Sequence, residues 1–388
     1  MKRDFEYAVL GLGSIGSAAA YRLARRAGEE VVGFEQFEIG HHRGASQDHS
    51  RIIRRSYHSP LYVTLAGAAY EAWRALERDD GGELLTKTGG LDLWPPGAAL
   101  PMADYTSSMS RAGVPFEVLD GGEIMRRWPQ FRLEEDTVGI YQEDGGIVAA
   151  ARCNAAHVRA ARARGATLLD HHPVTSVRPN RGELEVVAGG VTFRCSKLIV
   201  AADAWTNDVL AWFDTRLPLT VTQEQVTYFA TSAPDDFSVG RFPVWIWMDE
   251  PSFYGFPVYG EAGCKVGQDV GGKEVTAGTR SFEPDPEALE RVARFLEAHV
   301  PGAVGPVIYT QTCLYTMPPD RDFVIDSVPG HPNVFVALGA AHGFKFAALF
   351  GRVLEELAVD GRCPLDLGPF AIDRPILTAP DPVASFLQ

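Results

Sequence analysis

The chain has 388 residues, of which 46% are hydrophobic and 22% are charged, as is usual for a globular protein with a large core. Its net charge of −14 is unfavourable for nucleic-acid binding, which requires a basic surface. No apolar stretch approaches the ~20 residues of a membrane span, so we expect no membrane partner.

Cysteine usage and the first residues predict a cytoplasmic protein. The chain begins with a polar stretch and enters an apolar strand without the apolar segment of a secretory signal. The cysteines contain no Cys-x-x-Cys pair and no rhythm typical of disulfides, which indicates a reducing compartment and no metal site. They are Cys153, Cys195, Cys264, Cys313 and Cys363.

The first 35 residues predict one β-α-β unit. Residues 5–10 form an apolar run with the length of a buried parallel strand, and residues 17–26 form an alanine-rich helix. Residues 31–35 form a second strand. Parallel pairing of the two strands implies a right-handed crossover through the helix.

A glycine turn joins the first strand to the helix. Gly11, Gly13 and Gly16 permit a tight turn, close approach of the backbone to a pyrophosphate and close packing of the helix on the strand. Glu35, nineteen residues after Gly16, can accept hydrogen bonds from ribose hydroxyls. The turn, which includes Ser14 and Ile15, therefore predicts a dinucleotide site, but it does not separate NAD from FAD.

The rest of the chain predicts an α/β protein, of α+β two-domain type, with a Rossmann-like domain and a mainly antiparallel β-sheet domain. The first domain is expected at 1–83, 148–215 and 311–388, and the second, for substrate, at 84–147 and 216–310. The predicted elements are a helix at 61–79, short strands in 84–147, a helix at 149–164, a strand at 193–201, many strands in 216–310 with a helix at 286–299, a strand at 333–338 and a helix at 344–359.

Three arginines follow the second strand within five residues. Arg51, Arg54 and Arg55 can bind a carboxylate or the oxygens of a cofactor ring, because a guanidinium pairs with planar anions through two hydrogen bonds. When the segment is considered alone, a solvated basic face is the favoured explanation. If the segment is helical, Arg51 and Arg54 share one face.

A second glycine turn, Gly339-Ala-Ala-His342-Gly343-Phe344-Lys345, follows the predicted strand at 333–338. Such a turn before a helix favours an anion. Lys345 falls in the first helical turn, where the helix dipole disfavours a cation, so binding of a substrate carboxylate would explain it. His342 can equally be a packed turn residue, and Cys313 alone is more often a small buried side chain than a reactive thiol.

Taken together, these segments make the chain resemble the family of monomeric sarcosine oxidase and N-methyltryptophan oxidase over nearly its whole length. The resemblance rests on the order of several motifs. They are Gly11-x-Gly13-x-x-Gly16, Ser50-Arg51-Ile-Ile-Arg54, Tyr254-Gly-Phe-Pro257, Lys265-Val-Gly267, Cys313-x-Tyr315-Thr and His342-Gly-Phe-Lys345-Phe346.

The resemblance implies an oxidase with covalently bound FAD. Cys313 matches the cysteine that forms a thioether to the flavin, Arg54 and Lys345 match the pair that binds the substrate carboxylate, and Arg51 matches the arginine beside the flavin ring. Lys265 matches the lysine near the site where oxygen is reduced to hydrogen peroxide, a step that positive charge favours. Further residues implied in the cofactor or substrate site are Ser50, Val174, Tyr254, Tyr315, Gly339, His342, Gly343 and Phe344.

Two departures leave the substrate open. Sarcosine-type members read Ser-His-His-Gly-Asp-Thr before the first arginine, whereas this chain reads Ala45-Ser-Gln-Asp-His-Ser50, so Gln47 replaces a histidine beside the flavin. Asp269 likewise replaces an active-site histidine. We expect Gln47 and Asp269 to contact substrate, and Asp269 could pair with a polar or cationic group of a substrate larger than sarcosine. Trp245 and Trp247 favour a bulky or cyclic substrate if they face the cavity, and are otherwise core residues.

The leading hypothesis is therefore an oxidase of N-methyl or cyclic amino acids that uses oxygen, as a monomer or weak homo-oligomer. A neighbouring hypothesis is a biosynthetic tailoring oxidase of a cyclic imino acid or modified amino acid. An NAD-dependent dehydrogenase is compatible with the first glycine turn, but it leaves Cys313 and the turn at 339–343 without a role. A flavoprotein that passes electrons to a partner chain would not need Lys265.

Overall fold

A computed structural model describes residues 2–385 of the chain. Its strands form three sheets. In chain order the strands are β1 (Asp4–Leu10), β2 (Val31–Phe34), β3 (Arg51–Ile53), β4 (Leu85–Lys87), β5 (Gly90–Trp94), β6 (Glu117–Asp120), β7 (Val138–Gln142), β8 (Gly146–Val148), β9 (Thr167–Leu169), β10 (Val174–Asn180), β11 (Glu183–Ala188), β12 (Val191–Val200), β13 (Thr220–Ala230), β14 (Val244–Trp247), β15 (Ser252–Val258), β16 (Gly263–Asp269), β17 (Lys273–Glu274), β18 (Val307–Met317), β19 (Val324–Val328) and β20 (His331–Leu338).

Nine α-helices lie within the described residues, and none of them is long and apolar enough to cross a membrane. They are α1 (Ser14–Ala27), α2 (Pro60–Asp80), α3 (Met102–Arg111), α4 (Gly121–Arg127), α5 (Ala150–Arg162), α6 (Thr206–Leu210), α7 (Pro286–His299), α8 (Ala347–Glu355) and α9 (Pro375–Thr378). A 3-10 turn, Gly343–Phe346, leads directly into α8, and a π-turn, Glu356–Asp360, follows it.

The first sheet has a parallel centre. Strands β20, β12, β1, β2 and β9 run parallel to one another, and β10, β11 and β19 pair antiparallel at its margins. Strand β12 is long enough to pair with β11 through its first half and with β20 through its second half. Helices α1, α2, α5 and α8 cover one face of this sheet with a large apolar core. This arrangement agrees with the predicted Rossmann-like fold.

The second sheet is antiparallel except where β14 pairs with β5. Its strands follow the order β17, β13, β16, β15, β14, β5, β7 and β6, with β18 on the other edge of β13. Helix α7 packs on one face of it through apolar side chains. The small third sheet, β3-β8-β4, is antiparallel and joins the segment after the first β-α-β unit to residues at the ends of the predicted substrate segment 84–147.

Several local expectations differ from the structure. Arg51 and Arg54 do not share a helical face, because Arg51–Ile53 is a strand paired with Gly146–Val148. Two helices, Met102–Arg111 and Gly121–Arg127, occur where only short strands are expected. The last strand of the second sheet runs to Met317, past the boundary expected at 311. Propensity could not resolve these short segments, whose form depends on neighbouring strands and on packing.

Three turns meet at one edge of the first sheet, because three parallel strands end there. Strand β1 leads into the glycine turn at 11–16, β12 into residues 201–203, and β20 into the turn at 339–346. Ligands of open α/β sheets bind beyond the carboxyl ends of their strands. This edge faces the second sheet and is the candidate site.

Candidate functional site

Two adjoining cavities lie at the carboxyl edge of the first sheet. The inner cavity has a volume of about 200 Å³ and is lined by both sheets, and the outer cavity has a volume of about 240 Å³ and lies along the first glycine turn. Their shared lining shows that they form one elongated site. The shared residues are Gly13, Ala45, Ser46, Gln47, Ala201 and Asp203.

The first glycine turn leaves no room for side chains. Gly11 has a φ of +86°, and a Cβ on Gly16 would lie 1.8 Å from the Gly11 carbonyl oxygen. A Cβ on Gly13 would lie 2.9 Å from Ser46 Oγ, which accepts a hydrogen bond from the Ser14 backbone N–H at 2.9 Å. The turn thus brings bare backbone and the N-terminus of α1 to the cavity, as a pyrophosphate requires.

Glu35 lines the outer cavity together with Gly11 and Val174. One carboxylate oxygen accepts from the Leu12 backbone N–H at 3.0 Å, and the other from the Phe37 N–H at 3.2 Å. Burial opposes ionisation of Glu35, but hydrogen bonds from a histidine side chain and the backbone outweigh it and keep its pKa below the ordinary value. An ionised acid beside the glycine turn suits ribose hydroxyls.

Arg51 organises the loop that separates the two cavities. Its guanidinium donates to the backbone oxygens of Ala45, Gln47 and Ser50 at 2.8 to 3.3 Å. Arg51 lines the inner cavity, whereas Ser50 is fully buried behind it. The side chain therefore presents positive charge at the cavity wall while most of its hydrogen bonds hold the loop in place.

Cys313 is a free cysteine in the inner cavity wall. Burial raises the pKa of its thiol to about 11, although the nearby Arg51 acts in the opposite direction. Among the five cysteines it is the one that lines either cavity described above. Cys313 is therefore the described cysteine that can contact a group bound in the inner cavity.

Arg54 and Lys345 bring two cations to the inner cavity. Arg54 pairs through one terminal nitrogen with Asp92 at 2.7 Å, and its Nε is buried without a hydrogen-bond partner among the described residues. The Lys345 ammonium lies 5.8 Å from the centre of the Tyr57 ring and has no carboxylate partner in the described part of the chain. Burial and the charge of Arg54 lower the pKa of Lys345 to about 7. Both groups retain capacity for an anion.

Asp269 is engaged by a protein side chain. Its two oxygens accept hydrogen bonds from Arg321 at 2.7 and 2.9 Å, and both residues line the inner cavity. Burial opposes the charge on Asp269, but Arg321 outweighs it and lowers the pKa of the carboxyl group. The pair therefore offers a substrate a polar, charge-balanced wall instead of an isolated negative charge. Contact of Asp269 with substrate remains a prediction, and Arg321 is the partner that the structure gives it.

Lys265 lies behind the cavity wall. Its side chain is 2% exposed, and its ammonium contacts Asp48 at 2.6 Å and the Ser50 carbonyl oxygen at 2.7 Å. Asp48 lines the inner cavity, but Lys265 does not. Lys265 therefore acts on the cavity through its charge and through the groups that it holds.

Tyr254 and Tyr315 line the inner cavity together with Gln47. Space for the Tyr254 ring depends on Gly267, because a Cβ at that position would lie 2.8 Å from the tyrosine hydroxyl. Burial raises the pKa values of both tyrosines, so both stay neutral. They supply aromatic surface and neutral hydroxyl groups to a ligand.

Trp245 and Trp247 lie outside the cavity, contrary to the expectation that Trp245 contacts substrate. Trp245 is 1% exposed and packs on Phe295 of α7, with ring centres 5.7 Å apart. Ile246, between the two tryptophans, lines the inner cavity instead. Side chains of a strand alternate between faces, so both tryptophans point away from the site once Ile246 points toward it.

The second glycine turn and Ile15 also reach the inner cavity. The cavity lining includes Ile15, Gly339, His342, Gly343, Phe344 and Lys345. His342 donates through Nε2 to the Arg321 carbonyl oxygen at 3.0 Å, and burial keeps its pKa well below the ordinary value. His342 is thus a neutral, packed residue of the wall.

Sequence reasoning missed several residues of the site. The sequence assigns Asp48 no role within its loop, and no pattern indicates that Asp92, Asp203 or Arg321 approaches the cavity. Their partners come from distant segments, since Arg54 meets Asp92 and Asp269 meets Arg321 only after folding. Buried charges are nearly always paired. Cations placed inside a site, such as Arg54 and Lys265, therefore imply that acids lie nearby, but the sequence does not identify those acids.

Comparison with known proteins gives consistent results. The family described as FAD dependent oxidoreductase matches residues 6–357. Monomeric sarcosine oxidase of Bacillus sp. (strain B-0618) is 33% identical over 97% of this chain and 98% of that protein, and N-methyl-L-tryptophan oxidase of Escherichia coli O157:H7 is 28% identical over 95% and 99%. The solved structure of NikD, an unusual amino acid oxidase essential for nikkomycin biosynthesis, superposes with a TM-score of 0.84 at 26% identity, covering 95% of this chain and 98% of that one.

Proposed function

Because the chain belongs to the FAD-dependent oxidoreductase family, we propose that it is an oxidase of secondary amino acids of the N-methyl or cyclic type. The observation that carries the proposal is the pair of cations with spare capacity, Arg54 and Lys345, in the inner cavity. A carboxylate is the anion common to all amino acids, and an arginine and a lysine together can hold and orient it. The resemblance supports the same assignment.

The elongated site fits FAD. The bare glycine turn, Glu35 and Val174 would hold the adenosine diphosphate part in the outer cavity, and Arg51 and Cys313 would face the flavin in the inner one. Bound FAD supplies a two-electron acceptor for a hydride from a carbon next to nitrogen. The chain's own residues position the substrate and exclude water from it.

The overall reaction balances as amine plus oxygen giving imine plus hydrogen peroxide, and water then hydrolyses the imine. Two electrons and two protons leave the substrate and are taken up by oxygen. Arg54 and Lys345 would fix the substrate through its carboxylate, leaving its C–H and N–H groups toward the cofactor side. Lys265 and Arg51 would stabilise the negative charge that develops on oxygen.

Turnover of a substrate panel tests this function. Hydrogen peroxide should form with N-methyl and cyclic L-amino acids, and the corresponding amides should fail because they lack the carboxylate that the two cations hold. The panel includes sarcosine, N-methyl-L-tryptophan, L-proline and L-pipecolate. Equal turnover of an amino acid and its amide would contradict the role of Arg54 and Lys345. Oxidation of substrate that requires added NAD would indicate the dehydrogenase alternative.

A biosynthetic tailoring oxidase of a cyclic imino acid is the second candidate. It is favoured by the Asp269–Arg321 ion pair and by the amide group of Gln47, both of which line the inner cavity. Sarcosine-type members have histidines at the positions of Gln47 and Asp269. The likeness to NikD supports it as well. Turnover restricted to cyclic members of the panel would select this candidate. The cytoplasmic location, use of oxygen and monomeric or weakly oligomeric state remain part of the proposal.

Covalent attachment through Cys313 is tested by acid precipitation of the purified protein. The parent should give a yellow pellet, and Cys313→Ser should give a colourless pellet and a yellow supernatant, because serine cannot form the thioether. Cys363→Ser is the matched control, since Cys363 is also a partly buried free cysteine but lies outside both cavities. A yellow pellet from Cys313→Ser would refute the linkage.

A further inference from the structure

Asp48 joins three parts of the site through one buried carboxylate. Its Oδ2 contacts Lys265 Nζ at 2.6 Å and accepts from Arg51 at 3.2 Å. Its Oδ1 accepts from the Tyr228 hydroxyl at 2.6 Å and from the His49 backbone N–H at 2.7 Å. The Asp48 side chain is only 2% exposed. A buried carboxylate with this many donors is held in one position.

Lys265 depends on this carboxylate. Its ammonium has two close acceptors, Asp48 Oδ2 and the Ser50 carbonyl oxygen, with Ser50 Oγ farther away at 3.4 Å. It also lies 4.5 Å from the centre of the Phe256 ring, whose face favours a cation weakly. Asp48 is the one carboxylate that pairs with Lys265 in the described part of the chain.

Asp48 is also a departure from the motif to which the chain is similar. The sarcosine-type motif Ser-His-His-Gly-Asp-Thr has glycine at the position of Asp48, directly after the histidine replaced by Gln47. Glycine provides neither a charge nor a hydrogen-bonding side chain. The buried acid beside Lys265 is therefore a feature of this chain that the motif does not explain.

We propose that Asp48 is a positioning residue that keeps the Lys265 ammonium charged and fixed behind the cavity wall, and that it thereby sustains the reduction of oxygen. The inference rests on the proposed oxidase function of the same site. Asp48 acts through Lys265 and needs no contact with the reacting atoms.

The charges around Lys265 determine the direction of the effect. Burial disfavours its ammonium and lowers its pKa to about 8, Asp48 opposes this lowering, and Arg51 adds to it. The other titratable groups that face Lys265 are neutral, because burial raises the pKa values of Tyr228 and Cys313. Without the Asp48 charge, burial and Arg51 lose the main group that opposes them. The lysine would then lose its proton near neutral pH.

Direct titration of Lys265 in the holoenzyme tests the first part of the inference. The ¹³Cε resonance of Lys265 is assigned by its absence from Lys265→Met and followed with pH. We expect a midpoint near 8 in the parent, as its pKa indicates, and a midpoint at least one pH unit lower in Asp48→Asn. Asp236→Asn, a change at an exposed aspartate, should leave the midpoint unchanged. An unchanged or raised midpoint in Asp48→Asn would overturn the inference.

Reoxidation of the reduced enzyme by oxygen tests the second part. At pH 8 the rate constant should fall at least tenfold in Asp48→Asn, and the pH at which the rate is half-maximal should move down with the Lys265 midpoint. Asp48→Glu keeps the charge and should give values between those of the parent and the asparagine variant. If the asparagine variant does not fold, Asp48→Glu alone tests the inference. A partial shift of both the Lys265 midpoint and the reoxidation rate supports it, and parental values in both measurements count against Asp48.

Failure of this inference is distinct from failure of the proposed function. If Lys265→Met reoxidises slowly but Asp48→Asn matches the parent, Lys265 keeps its role and Asp48 loses its own. If Lys265→Met reoxidises like the parent, the role of Lys265 in oxygen reduction is wrong. A shift in the NMR midpoint without any change in reoxidation would show that Asp48 controls the charge of Lys265 but not the reaction, which also overturns the proposal as stated.

Discussion

Replacement of Lys345 with methionine is expected to raise the KM for an amino-acid substrate roughly 10- to 100-fold, the effect of losing a hydrogen bond to a charged group. Methionine is similar in length and apolar, so it retains the packing of the lysine chain without its charge. Arg54 remains, which limits the loss. Steady-state kinetics with the best substrate of the panel measures the change.

The same lysine predicts how substrate affinity depends on pH. Because burial and Arg54 lower the pKa of Lys345 to about 7, its ammonium loses the proton as pH rises through that value in the free enzyme. A substrate carboxylate binds the protonated form, so affinity should fall by up to about tenfold per pH unit above pH 7. Lys345→Met should lack this dependence. Lys87→Met, at a surface lysine outside the cavities, is the control. An unaltered KM and pH profile in Lys345→Met would exclude Lys345 from carboxylate binding.

Replacement of Lys265 with methionine is expected to slow reoxidation by oxygen roughly 100- to 1,000-fold, the usual cost of removing one preorganised group that stabilises developing charge. Cofactor content and the rate of reduction by substrate should change much less, because Lys265 does not line the substrate cavity. Stopped-flow mixing of the reduced enzyme with oxygen measures the rate constant. An electron-transfer flavoprotein would behave differently. In that case the parent itself would react weakly with oxygen, and a partner electron acceptor would restore fast reoxidation.

Stability needs a control in this variant, because methionine leaves Asp48 without its closest cation. Breaking a buried pair costs roughly 3–5 kcal/mol when the remaining charge is isolated, but Arg51 and Tyr228 still donate to Asp48 here. We therefore expect a loss below that range. Lys273, in the same sheet as Lys265, forms a surface ion pair with Asp285, and Lys273→Met should change neither reoxidation nor stability appreciably. Normal reoxidation by Lys265→Met would remove Lys265 from the oxygen step.

The periodic elements were predictable and the short ones were not. The β-α-β unit, the helix at 286–299 and the strand before the second glycine turn carry strong patterns of apolar residues, glycine or proline, and the structure has them within a few residues of the expected positions. Helices α3 and α4 lie in a segment punctuated by glycine and proline. Their formation depends on packing against neighbouring strands, which local sequence does not specify.

The site divides in the same way. Residues on the two glycine turns were predictable, because strand ends and turns have sequence signatures and parallel strands end at one edge. The direction of the Trp245 side chain was not predictable. Alternation places Trp245 and Trp247 on the same face of their strand, but it does not show whether that face lines the cavity. The ion pairs of Asp48, Asp92 and Arg321 join segments far apart in the chain. Buried cations imply that partner acids exist, but a single sequence does not identify which distant residues they are.

Gly267 lies outside the lining of the inner cavity, but the lack of a side chain at this position affects the shape of that cavity. A Cβ there would lie 2.8 Å from the Tyr254 hydroxyl, so this position sets how far the tyrosine ring can withdraw from the cavity. A relative that acquires alanine at this position would have to move the ring, and its cavity would change shape although no cavity-lining residue had mutated. Substrate range in this protein can therefore drift, or be engineered, through a residue that no substrate touches.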